Sequence, residues 1–137
     1  RLGYALACEE CDVTLADLAR LCDVFYIGGT KCGAMFGEAV VIMNPALKKD
    51  FRYMMKQRGG MLAKGRLLGV QFLTALENGL YTQLGQQSIQ AAKKLNAGLQ
   101  ALRIPMLIDS PSNQVFPILP HPVAEAFLTL SEAELLP

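Results

Sequence analysis

The chain has 137 residues, 52% of them hydrophobic and 18% charged, which excludes intrinsic disorder and gives enough apolar side chains for a real core. Thirteen Lys and Arg against 12 Asp and Glu leave a net charge of +1, so the clustered basic stripe that nucleic-acid binding needs is missing. No apolar run approaches the roughly 20 residues that cross a bilayer, and nothing near the start reads as a signal peptide. The chain opens on Arg1 inside what reads as a structured segment and stops at "AELLP"; the expectation is a piece of a longer protein.

In chain order, "TLADLARLC" from Thr14 offers an N-cap and then Leu15, Leu18, Ala19 and Cys22 at helical spacing, which predicts a short helix. "DVFYIGG" (23–29) is a continuous apolar run cut by glycines and predicts a strand buried on both faces. "EAVVIM" (38–43) predicts a second strand after a turn. "NPALKKDFRYMMKQR" predicts one helix with Asn44 as N-cap and Pro45 at its first position, ending before Gly59-Gly60. The segment 61–79 is apolar nearly all round and predicts a buried helix that stops at Asn78-Gly79. The segment 80–102 predicts a long amphipathic connector with Leu84, Ile89, Ala92, Leu95 and Leu99 on one side. Beyond Pro105, "MLID" and "QVFPIL" read as strands of a different sheet, and "HPVAEAFLTL" starts a further helix. This order predicts the end of one α/β domain over residues 1–79, then a linking helix and the start of a smaller α+β domain over 80–137.

Two local features invite chemistry. Cys8 and Cys11 have the two-residue gap of a zinc knuckle, but the second half of such a site is absent from the sequence, while Cys22 and Cys32 have no paired spacing. Reduced cysteines of a cytoplasmic protein are therefore expected, and no metal. Lys31 stands among Gly28, Gly29, Gly33 and Gly37. From spacing alone it reads as an exposed turn lysine; the glycines raise the alternative that something large comes close to this backbone.

The stretches "RLGYAL", "DVTLADLARLCDVFYIGGTKCGAMFGEAVV" and "KQRGGMLAKGRLLGVQF", in this order and spacing, resemble the low-specificity threonine aldolase and β-eliminating lyase family. Its members read Asp-Gly-Ala-Arg, a helix, a strand, Ser/Thr-Lys-Gly-x-Gly and later Gly-Gly-Gly-Met. The resemblance covers residues 1–120 and implies an α/β fold, part of the fold-type I pyridoxal phosphate transferase-like architecture. It implies that Lys31 carries pyridoxal 5'-phosphate, for which an amine desolvated in a small-residue pocket would be tuned. Thr30 would give its hydroxyl to the phosphate or simply end the strand. Arg1 would grip the substrate carboxylate or the ring's phenolic oxygen with its planar guanidinium. The family's arginine that reaches a neighbouring subunit's phosphate is not matched, since Met-Arg-Gln reads Met61-Leu62-Ala63 here; Lys64 or Arg58 is expected to replace it, although composition alone reads both as solvated helix-end charges. The family's ring-stacking histidine and the aspartate facing the pyridine nitrogen would precede residue 1. His121, the one histidine, is expected to have no role.

The activity implied is cleavage of a β-hydroxy-amino acid of the L-threonine or L-allo-threonine class to glycine and an aldehyde. β-Elimination from an amino acid is the alternative within the same chemistry, and a non-catalytic or zinc-binding module using Cys8 and Cys11 is the alternative of another class. The expected partners are a small amino-acid substrate and further copies of the chain, as homodimer or homotetramer, with neither nucleic acid nor membrane.

Overall fold

The structure is a computed structural model and describes residues 2–134. Six helices and one two-stranded sheet follow in the order α1 (Leu2–Ala7), α2 (Leu15–Leu21), β1 (Val24–Gly28), β2 (Glu38–Ile42), α3 (Phe51–Gln57), α4 (Arg66–Leu76), α5 (Leu80–Ala101) and α6 (His121–Glu134) among the described residues. The chain divides into two compact units, one up to Ile89 and one from Gln90 on, with the division inside α5.

In the first unit, α2 starts as its sequence predicts. The Thr14 hydroxyl accepts from the Asp17 amide at 3.2 Å, and the Asp17 carboxylate accepts in return from the Thr14 amide at 3.0 Å, a reciprocal capping box. β1 and β2 pair antiparallel, with Phe25 opposite Val41 and Ile27 opposite Ala39. These four residues face a core built with the buried Tyr4, Cys32 and Tyr81 and with Phe72 and Ala75 of α4. The opposite face carries Val24, Tyr26 and Val40, all exposed. The expectation of a strand buried on both faces is therefore corrected. Among the described residues each strand pairs only with the other, as a hairpin, and side chains alternate across it, so only alternate residues meet the helices.

Three further expectations change. The segment after Asn44 is not one helix: Asn44 caps a single 3-10 turn, Pro45–Leu47, and Asp50 then adopts a left-handed conformation (φ 56°) before α3 begins. A residue there cannot continue the hydrogen-bond ladder of a right-handed helix. The helix predicted within 61–79 shortens to α4 and is not buried. Phe72 and Ala75 turn inward, whereas Leu67, Val70, Leu73 and Leu76 are exposed. The break expected at Asn78-Gly79 does occur, both residues having positive φ. In the second unit the two strands predicted after Pro105 reduce to one antiparallel bridge, Met106 with Pro117. Its bonds run from the Leu107 amide to the Phe116 carbonyl and from the Ile118 amide to the Pro105 carbonyl, each 2.8 Å. Pro105 and Pro117 have no N–H to extend the ladder. α6 starts at His121, whose Nδ1 lies 3.5 Å from the Glu125 carboxylate, both side chains exposed.

The first unit is closed by a tight crossing of α1 over the start of α5. A Cβ added at Gly3 would meet Cys32 Sγ at 2.5 Å and the Tyr81 ring at 2.8 Å, and one at Gly85 would meet Ala7 Cβ and the Gly3 carbonyl at 2.7 Å. Gly3→Ala in the intact protein is expected to cost about 1–3 kcal/mol through overpacking, read from urea unfolding; a variant as stable as the parent would show that the crossing can widen freely. A second prediction concerns α2. The Thr14 hydroxyl, then the Thr14 amide and then Arg20 hold the Asp17 carboxyl below its ordinary value. The folded pKa lies below the unfolded one, so this contribution is present above the unfolded value and lost as pH falls through the folded one. Thr14→Ala should lower stability at neutral pH and flatten the acid-side loss, and an unchanged acid profile would count against the capping box as its source.

Candidate active site

Residues 29–37 join the two strands, and their course is set by backbone bonds within the loop. The Cys32 and Ala34 amides both donate to the Gly29 carbonyl, at 2.8 and 3.1 Å, and the Gly29 amide donates to the Gly37 carbonyl at 3.3 Å. Gly33 and Gly37 have φ of 94° and 91°, a region that L side chains enter only with strain. A Cβ at Gly37 would also collide with Leu68 of α4. Gly33 and Gly37 therefore serve the turn and its packing within this chain.

The turn sends Lys31 outward and Cys32 inward. Lys31 and Thr30 are exposed, whereas Cys32 is 4% exposed, beneath Gly3 and Tyr81. The apex of the turn points away from this chain's own core, and what the fold grips there is backbone. Three helices supply that grip. Tyr4 of α1 donates its hydroxyl to the Lys31 carbonyl. Tyr81 of α5 donates to the Gly28 carbonyl at 2.8 Å. Gln71 of α4 accepts from the Met35 amide at 2.8 Å, and its own amide group donates to the Leu67 carbonyl at 3.1 Å. Burial, and then the neighbouring Cys32 thiol, push the Tyr81 phenol well above its usual value, against a smaller opposing contribution from the Gly3 backbone. Tyr81 is thereby kept as a protonated donor.

Beside the turn lies an open pocket of about 610 Å³ bounded by Thr30, Lys31, Glu38, Tyr26, Leu2 and Tyr81. The sequence-predicted pair Thr30 and Lys31 is brought together there. The sequence reading missed Tyr26, Glu38 and Tyr81. Tyr81 carried a usable signal, since it stands four residues before Gly85 and eight before Ile89 on the buried stripe of α5. A second pocket of about 890 Å³ lies between β2, α3 and the start of α4, lined by Glu38, Arg52, Lys56 and Arg66 together with Phe51 and Leu68. Arg58 ends α3 and Lys64 precedes α4, both exposed. Among the described residues bounding the two pockets neither appears. Arg1 lies outside the described residues. Cys8 is buried, with its thiol donating to the Glu10 carboxylate at 3.2 Å, and Cys11 is half-buried. Among the described residues no group of three or more His, Cys, Asp or Glu is arranged to hold a metal ion.

No family model matches the sequence. A low specificity L-threonine aldolase of Pseudomonas sp. is 29% identical over 126 residues, which are 90% of this chain and 36% of that protein. A second, from Pseudomonas aeruginosa, is 30% identical over 105 residues, 76% of this chain and 30% of that protein. The structure of Leishmania major threonine aldolase superposes with a TM-score of 0.88 at 48% identity, over 94% of this chain and 38% of the other. The chain thus spans between 30% and 38% of the length of these relatives. By sequence and by the course of its backbone, the chain belongs to the threonine aldolase family.

Proposed function

We propose that the protein carrying this chain is a pyridoxal 5'-phosphate-dependent lyase of the threonine aldolase type, which cleaves a β-hydroxy-amino acid of the L-threonine or L-allo-threonine class to glycine and an aldehyde. The observation that carries the reading is the likeness to Leishmania major threonine aldolase, 48% identical over 94% of this chain. The β-eliminating alternative has no observation in its favour, because the relatives bear aldolase names. The proposed architecture is the fold-type I one, with residues 1–79 as the end of its large domain and 80–137 as the linking helix and the start of its small domain.

The residues present fit the cofactor in size and in chemistry. A pocket of about 610 Å³ falls in the range of roughly 300–1,000 Å³ common to small-ligand sites. The Lys31 amine and the Thr30 hydroxyl stand exposed at its edge. When bound, pyridoxal 5'-phosphate supplies the electron sink that lets the Cα–Cβ bond break. Lys31 would hold it through Nζ and, once displaced by the substrate's amine, would hold or return a proton at that same atom. Thr30 would donate its hydroxyl to a phosphate oxygen. Arg1 is proposed to orient the substrate carboxylate, and Lys64 or Arg58 to reach the phosphate of a neighbouring copy. A homodimer or homotetramer is proposed in part because the outer face of α4, with Leu67, Val70, Leu73 and Leu76, is exposed in the single chain. No helix among the described residues is long and apolar enough to cross a membrane, and a cytoplasmic location is proposed.

Borohydride reduction of the intact protein with pyridoxal phosphate, followed by peptide mapping, is expected to place the label on Lys31; a label on another lysine overturns the assignment. Lys31→Ala should abolish labelling and activity while stability changes by no more than about 0.5 kcal/mol, because the side chain is exposed. Light scattering at micromolar concentration is expected to give a dimer or tetramer. A monomer would remove the basis for assigning Lys64 or Arg58 to a neighbour's phosphate.

A further inference from the structure

The turn that carries Lys31 is held from behind by two buried phenols. Tyr4 is 8% exposed and Tyr81 4% exposed. One hydroxyl bonds the carbonyl of Lys31 itself and the other bonds the carbonyl of Gly28, the last residue of β1. The two acceptors therefore bracket Gly29 and Thr30, the link through which the strand passes its direction to Lys31. Filling the space does not require the hydroxyls, since a phenylalanine ring would occupy it equally. A buried hydroxyl without a partner costs free energy, so each tyrosine favours the turn conformation in which its carbonyl faces inward. The Lys31 side chain is exposed, and the fold has hold of this residue through its carbonyl.

We infer that Tyr4 and Tyr81 are positioning residues, which set where the Lys31 amine stands by fixing the carbonyls of Lys31 and Gly28. This rests on the reading of Lys31 as the cofactor lysine and adds two residues from helices outside the loop. Three features support it. Cys32 packs beneath Gly3 and Tyr81 and ties the turn to the same cluster. Burial and the Cys32 thiol keep the Tyr81 phenol protonated, so the donor persists into alkaline solution. The Gly3–Gly85 crossing holds both tyrosines at a fixed spacing, because neither helix can back away without losing the contacts at those glycines.

The test uses the intact protein freed of pyridoxal phosphate, as parent, Tyr81→Phe and Tyr4→Phe. Each is mixed with pyridoxal phosphate and reduced with borohydride at timed intervals. The labelled Lys31 peptide is quantified by mass spectrometry, with the peptide of the exposed Lys48 as an internal control. Hydrogen exchange of the Cys32 and Ala34 amides and the melting temperature are measured on the same samples. With one hydrogen bond lost, Lys31 labelling should slow and the two amides should exchange faster, each by roughly three- to tenfold, while Lys48 labelling and folding are retained. A lowered melting temperature with parental labelling and exchange in both variants would show that the hydroxyls only stabilise, and would overturn the inference while sparing the cofactor reading. A parent protein that is never labelled at Lys31 would overturn both. Should one variant fail to fold, the other alone decides between these results.

Discussion

The close crossing of α1 over α5 is the constraint on which the site depends. With no side chain at Gly3 and none at Gly85, the two helices approach until Cys32 Sγ and the Tyr81 ring occupy the space a methyl group would need. That approach brings two phenols under one turn. Had either helix stood further away, the Lys31 and Gly28 carbonyls would face a gap, and buried carbonyls without donors are costly. The same crossing seats Ala7, Cys8 and Ile89 in a second cluster further along the two helices, so the geometry behind Lys31 is set well beyond the site.

The loop divides its labour between backbone and side chain. Several backbone groups of residues 28–37 bond to one another and to Tyr4, Gln71 and Tyr81. Each such bond has a net worth of only about 1 kcal/mol, but an unmade one leaves a buried polar group at higher cost. Their joint effect is to specify one conformation. The Lys31 and Thr30 side chains stay exposed beside the pocket.

The hairpin and α4 are each half covered. Phe25, Ile27, Ala39, Val41, Phe72 and Ala75 form or border the core, whereas Tyr26, Val40, Val70 and Leu73 are exposed. Apolar side chains on both faces of these elements suit a place between layers, and the curated relatives matched here are about three times as long as the stretch they share with this chain. The second pocket, lined in part by Arg52, Lys56 and Arg66, opens on the same side of β2 as Val40.

The sequence by itself determined the local features whose causes are local. The Thr14 cap, the stop at Asn78-Gly79, the length of α5 and the turn between two strands each follow from a few neighbouring residues, and from spacing alone Lys31 reads as the exposed turn lysine it is in this chain. Periodicity could say that α4 and β1 are apolar all round, but not which of their faces this chain covers, because burial is decided by the elements that arrive from elsewhere. Tertiary structure alone decided that Tyr4 and Tyr81, 77 positions apart in number, meet one turn. It also decided that Gly33 and Gly37 serve backbone geometry and packing, and that Lys31 is exposed while Cys32 is buried. These outcomes rest on distances between residues far apart in the chain, and such distances are set by the packing of helices, which no short stretch of sequence contains.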